Sequence, residues 1–197
     1  MMKPVCLLKD AAARWITRWR TRYTHKSGKR KHSSFILKHC AEAQNDLGTD
    51  LHIKLVPFIK HYGSGQTICV CEWSYTTYHL NYVCMDNTLL ISLFDVSGLK
   101  RTKEELLFDA LRGIRITYQR LHHPEVYDPP SCPTSTQTSL TSISAIDADA
   151  YASAFFLAHG IFHPAVYKQA IRRMQTDGCK RFQRMQRIME EEFYCDV

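Results

Sequence analysis

The feature that most constrains the fold is the stretch EELLFDALRGIRITYQRL, from Glu104 to Leu121. Apolar side chains recur along it at the three- and four-residue spacing that places them on one face of an α-helix: Leu107, Ala110, Leu111, Ile114, Tyr118 and Leu121. Acidic residues in its first turn suit the positive end of the helix dipole, and Pro124 disfavours helical geometry before it. The stretch therefore predicts an amphipathic helix packed on a core.

Strands are predicted before this helix and further helices around it. β-Branched and aromatic residues are concentrated at 51–59 and 67–75, with Pro57 marking an edge or an end, and 78–94 is typical of a hairpin that turns at 85–87. Helices are predicted at 4–24, 34–47, 145–159, 164–176 and 178–194, and a Pro/Ser/Thr-rich loop at 129–144. The expected fold class is α+β, a small twisted sheet with packed helices.

The net charge of +7 is concentrated near the start of the chain, where residues 1–40 hold eleven Lys or Arg and a single acid. We therefore expect a basic helical arm and linker at 1–32 and one domain at 33–197. Basic side chains bind phosphates and aromatic rings stack on bases, so the arm is a candidate for nucleic acid or an anionic surface. The candidate residues are Arg14, Arg18, Arg22, Lys26, Lys29, Arg30 and Lys31. Alternatively, the tryptophans pack inward and the arginines form a solvated face.

Eight cysteines are scattered along the chain without a Cys-x-x-Cys pair. The start of the sequence is too short and too interrupted in its apolar residues for a secretory signal. We therefore expect reduced thiols in a cytoplasmic protein. No apolar run reaches the roughly 18 residues of a transmembrane helix, so no transmembrane segment is expected.

Four features of the chain resemble, in order and spacing, an uncharacterised bacterial and phage family of zincin-like metallopeptidases. They are the hairpin and strand HLNYVCMDNTLLISLF, the helix ALRGIRITYQ with its aromatic-Gln ending, the polar insertion after it, and the helix IDADAYASAFFLA. The resemblance is strongest over residues 66–160 and implies a zincin-like domain. In such a domain two histidines four residues apart bind zinc, and a glutamate beside the first takes a proton from the bound water.

The chain departs from that pattern where the chemistry would be. The first histidine position is Asp109, the general-base position is Ala110 and the second histidine position is Gly113. The third-ligand position is Asp147, with Asp149 two residues on. Loss of a general base alone costs roughly 10²–10⁴ in rate. The resemblance therefore implies a degenerate, inactive metallopeptidase homologue without a cofactor. It would act by binding, through a protein partner in the vestigial cleft or through the basic arm.

Other interpretations of the same carboxylates stay open. Asp109, Asp147 and Asp149 are oxygen ligands that could hold a hard cation weakly. That would give an active metallopeptidase with zinc or another divalent cation at a non-standard site. Alternatively, Asp109 is solvated or is paired with an arginine, Arg112 or Arg115.

Outside this helix the chain offers one further candidate metal site. His159 and His163 have the four-residue spacing of a metal pair, although Gly160 and Pro164 predict that the helix ends there. If the basic arm binds nucleic acid, the protein is instead a nucleic-acid-associated regulator whose body serves as a scaffold.

Overall fold

The computed structural model describes residues 33–62, 66–70, 78–85, 87–127, 143–162, 180 and 183–193. Within these ranges helices pack with two three-stranded sheets, so the predicted α+β class is confirmed. The strands are β1 (His52–Val56), β2 (Phe58–His61), β3 (Thr67–Val70), β4 (Tyr78–Leu80), β5 (Tyr82–Met85) and β6 (Thr88–Ser92). The helices are α1 (33–47), α2 (Lys103–His122), α3 (Pro124–Tyr127) and α4 (Ile143–Ala158).

Residues 183–188 are helical and continue into a π-helical turn, Met189–Phe193; the two together are called α5. The basic arm at 1–32 and the helix predicted at 164–176 lie outside the described residues. None of the helices in the described ranges is both long enough and apolar enough to cross a membrane.

The six strands form two separate sheets because the chain changes sheet at Pro57. The first sheet has the order β1-β6-β5, with β1 parallel and β5 antiparallel to β6. The second has the order β3-β2-β4, and both neighbours run antiparallel to β2. The strand structure predicted at 51–59 and the strand end at Pro57 are confirmed, and the stretch holds two strands that belong to different sheets. Only β5 and β6 form the hairpin expected at 78–94, because β4 pairs with β2.

Helix α2 starts at a capping box. The Thr102 hydroxyl accepts a hydrogen bond from the Glu105 amide at 3.2 Å, and the Glu105 carboxylate accepts one from the Thr102 amide at 2.8 Å. Two amides that the helix leaves without partners are thereby satisfied. The helix ends at His122, with His123 as its C-cap directly before Pro124, as the sequence predicts.

Helix α2 is the centre of the core, with the first sheet on one side and α4 on another. Four of its predicted core residues are fully buried: Leu107, Ala110, Leu111 and Ile114. The prediction is wrong for Leu121, which is 64% exposed. Gln119 already contacts Ser144 near the start of α4, so the last turn of α2 extends past its neighbour. Helix α4 is buried on nearly all sides, in keeping with its Ala- and Phe-rich sequence.

Candidate functional site

Helix α2 carries a buried polar stripe beside its apolar face. Asp109, Arg112, Arg115 and Gln119 follow one another at spacings of three, three and four residues, so they share a face of the helix. Each is less than a tenth exposed. Because buried charges are costly unless paired, the partners of this stripe determine what it can do.

Asp109 lies between two arginines. One carboxylate oxygen pairs with Arg101, which precedes the helix, and the other is 3.2 Å from Arg112 Nη1. Arg112 also reaches across to α4, where its Nε lies 2.5 Å from Asp149 Oδ1. Burial works to lower the pKa of Arg112, but Tyr82, Asp149 and Asp109 outweigh it and raise the pKa above its ordinary value. The Arg112 guanidinium thus holds together two carboxylates from different helices.

Asp147, 1% exposed, is the most enclosed carboxylate of the site. It accepts hydrogen bonds of 2.7 Å from Arg115 Nε and from Gln119 Nε2, and a third from Arg184 of α5. Burial alone would raise the pKa of Asp147, but these three donors outweigh it and hold the pKa below its usual value. The Asp147 carboxylate is therefore stabilised in its charged form by donors from two other helices, α2 and α5.

Arg115 extends the chain of ion pairs to α5. Its Nη1 donates to Glu192 Oε1 at 2.7 Å, while its Nε is held by Asp147. Burial lowers and the two carboxylates raise the pKa of Arg115, and the net effect is a raised pKa. Burial raises the pKa of Glu192 and Arg115 lowers it. The effect of burial is larger, so the pKa of Glu192 is raised above its ordinary value. We call the whole set the α2–α4 network: Arg101, Asp109, Arg112, Arg115, Gln119, Asp147, Asp149, Arg184 and Glu192.

The α2–α4 network is electrically balanced in the described part of the chain. Four arginines face four carboxylates, and each charged group has at least one opposite partner. Gln119 completes it: its amide donates to the Ser144 carbonyl at 3.2 Å and accepts from the Ser144 hydroxyl at 2.5 Å. A balanced buried network of this kind fixes the relative position of α2 and α4, since its ion pairs Arg112–Asp149 and Arg115–Asp147 join the two helices.

The residues at the general-base and second-histidine positions, Ala110 and Gly113, pack against other parts of the core. Ala110 is fully buried in the core. Gly113 lies where α2 crosses β6, and a Cβ built there would lie 2.5 Å from Leu89 Cδ1. A histidine at position 113 would therefore meet the first sheet, unless Leu89 and the helix moved.

The structure thus brings the candidate metal ligands Asp109, Asp147 and Asp149 to neighbouring helices, but it binds each of them to arginine. Asp109 has the partner Arg112 that sequence analysis considered, together with Arg101. In the described ranges no group of three or more His, Cys, Asp or Glu side chains is arranged to hold a metal ion.

His159 follows the end of α4, as predicted, and contacts α1. Its Nδ1 lies 2.8 Å from the Phe155 carbonyl oxygen and its Nε2 2.8 Å from Glu42 Oε1, while its ring stacks on Phe155 at 3.9 Å. His163, its proposed metal partner, lies outside the described residues, as do the seven candidate binding residues of the basic arm.

Three members of the site were not predicted from the sequence: Arg101, Arg184 and Glu192. The stripe on α2 could have been found, because a second face with polar residues at helical spacing lies next to the apolar one. Arg184 and Glu192 gave no such sign, since a basic and an acidic residue on a final helix are typical of a solvated surface. Compared with known proteins, the chain matches no family model, no curated protein and no solved structure.

Proposed function

We propose that this protein is a non-catalytic, metallopeptidase-like scaffold that acts by binding a protein partner. The proposal joins the sequence resemblance with what occupies the three motif positions. The observation that carries it is the state of Asp109, at the first histidine position. Its two carboxylate oxygens are bound by two different arginines.

The neighbouring positions support the same conclusion for reasons of space and chemistry. Ala110 has no group that takes a proton, and it is enclosed by other apolar side chains. Gly113 is in close contact with Leu89. A hydrolytic site needs a general base and an open metal position near the surface. Here the equivalent positions stabilise the contact of α2 with its neighbours instead.

The α2–α4 network also supports a role in binding. Charged groups that are held rigidly by one another present a fixed pattern to a partner, which lowers the entropic cost of association. Arg184 and Glu192 are 30% and 25% exposed at the side chain, so the network reaches the surface where α5 lies.

Zinc content and peptidase activity test whether the protein is non-catalytic. The full chain, purified without a chelator or a His tag, is incubated with zinc, desalted and measured by elemental mass spectrometry. We expect no zinc that depends on Asp109 or Asp147, and no cleavage of unstructured protein substrates. Near-stoichiometric zinc that Asp109→Asn or Asp147→Asn removes, together with peptidase activity, would overturn the proposal. A matched control is Asp50→Asn, since Asp50 is exposed and lies outside the network.

A further inference from the structure

Helix α5 is held on the α2–α4 network by one cation and one anion. Arg184 pairs with Asp147 and Glu192 pairs with Arg115, so α5 supplies one charge of each sign to an Arg–Asp pair that joins α2 and α4. The buried apolar side chains in its described part are Met185 and Ile188. The contact thus combines a small apolar strip with two charged ends.

The π-helical turn explains how both charged ends of α5 face the same way. In an α-helix of 3.6 residues per turn, residue 192 would lie about 80° around the axis from residue 184. A π turn contains more residues, so each residue rotates less. The turn Met189–Phe193 therefore brings Glu192 back toward the face that carries Arg184. π-Helical turns are rare in proteins, and those that occur often lie at functional sites.

The charges that remain when α5 is removed are still balanced. Arg101, Arg112 and Arg115 then face Asp109, Asp147 and Asp149. Asp147 keeps its hydrogen bonds from Arg115 and Gln119, and Arg115 keeps Asp147. No buried charge is left without an opposite partner, which is the usual obstacle to opening such a contact. By contrast, removing Arg112 would leave Asp149 without its described ion pair.

We propose that α5 is a displaceable internal ligand of the α2–α4 network. A partner helix binds in its place with a cation against Asp147, an anion against Arg115 about two turns later, and apolar residues between them. This inference rests on the proposed function, since it names the regulation and the partner chemistry of the same surface. The free site is complementary to such a helix in charge and in its apolar strip.

The test uses a fluorescent peptide of residues 178–197 and the full chain in two forms. In the R184E/E192K form the chain's own α5 carries reversed charges and repels Asp147 and Arg115. We expect the peptide to bind this form at least about tenfold more tightly than the wild-type chain, whose site is occupied by α5. A peptide with the same two reversals is the control, because it keeps the apolar residues and loses the charge match. A cooperatively folded R184E/E192K chain that does not bind the wild-type peptide, or binds both peptides equally, would overturn the inference.

Hydrogen exchange of the wild-type chain provides the second measurement, and it decides the question if the variant does not fold. A displaceable α5 exchanges its amides faster than α2 and α4, by a local opening. Exchange of 183–193 at the slow rate of α2 would overturn the inference. That result would leave the proposed function standing, because zinc content and peptidase activity test it independently.

Discussion

Gly113 and Leu89 are in contact where helix α2 crosses strand β6, so closely that a Cβ on Gly113 would lie 2.5 Å from Leu89 Cδ1. Leu89 is fully buried and contacts the core on its other sides. Gly113 stands at the second histidine position of the proposed resemblance, so under that proposal packing accounts for the absence of a histidine there. The distance between helix and sheet is set for a residue without a side chain.

Gly113→Ala is predicted to destabilise the protein. Helix propensity alone would favour alanine by about 1 kcal/mol. Against this, overpacking of a well-filled core costs about 1–3 kcal/mol, and Leu89 is fully buried, so its side chain must shift against other core residues. We expect a net loss of about 1 kcal/mol in the free energy of unfolding, measured by urea denaturation.

Leu89→Ala provides the control for that substitution, because it removes the atoms that Gly113 contacts. In the Leu89→Ala background, Gly113→Ala should be neutral or stabilising, and the double-mutant cycle should give a favourable coupling. If alanine at position 113 stabilises both backgrounds equally, a Cβ at that position does not clash with Leu89.

Asp147→Asn is predicted to be far more destabilising than Glu192→Gln. Asp147 is enclosed and bound by Arg115, Gln119 and Arg184, so its neutralisation leaves buried cations underpaired and should cost about 3–5 kcal/mol. Glu192 is partly exposed and makes one of the two described ion pairs of Arg115, so its neutralisation should cost at most about 1 kcal/mol. Urea denaturation of both variants measures the difference.

Equal losses for the two substitutions would contradict this ranking. Asp50→Asn serves as the control for a general effect of removing an acidic charge, and it should change the free energy of unfolding little, since Asp50 is exposed.

The same two carboxylates are predicted to give pH dependences of opposite sign. The pKa of Asp147 is lowered from its ordinary value of 3.8, so its stabilising contribution is present above pH 3.8 and is lost as the pH falls through the folded-state value. The pKa of Glu192 is raised from 4.5, so its contribution is present below pH 4.5 and is lost as the pH rises through the folded-state value.

Urea denaturation at pH steps from about 3 to 7 separates the two effects. Relative to Glu192→Gln, the wild type should lose stability as the pH rises above 4.5. A constant difference between these two proteins over the whole range would show that Glu192 has the same pKa in the folded and unfolded states.

Native-state alkylation should distinguish Cys69 from Cys40. Cys40 is fully buried in α1, and burial raises the pKa of its thiol to about 12. Cys69 is exposed on β3, although its pKa is also raised by partial burial. Because the thiolate is the reacting species and needs access to the reagent, iodoacetamide should modify Cys69 first. Peptide mass spectrometry follows both sites, and denaturation in urea should make them equally reactive.

Helix boundaries and the apolar face of α2 follow from short-range signals and could be predicted. Leu107 and Ile114 are buried as their spacing indicates, and His123 ends α2 because Pro124 follows it. The predicted end of α1 near Gly48 is also confirmed, since Gly48 has a φ of 61°, which non-glycine residues rarely adopt.

The site itself could be predicted only in part, because its partners are far apart in the sequence. Asp109 and Arg112 are three residues apart on one helix, and their pairing was among the considered interpretations. The Arg115–Glu192 pair depends on where α5 packs, and helix packing leaves no local pattern. Pro57 likewise marked a strand end, but no nearby residue indicated that β1 and β2 belong to different sheets.

The change of sheet at Pro57 has its counterpart at Asn81. In the part of the chain that the structure describes, the strands of the second sheet, β2, β3 and β4, all lie between β1 and β5 of the first in sequence. Both crossing points are held by one segment: the Asn81 carbonyl accepts from the Ser92 amide at 2.8 Å, and the Pro57 carbonyl accepts from the Ser92 hydroxyl at 3.1 Å. The chain therefore leaves the first sheet and returns to it at one fixed point. Insertions between the strands of the second sheet can therefore lengthen this excursion while β1, β6 and β5 keep their pairing, provided that the core residue Phe58 is retained.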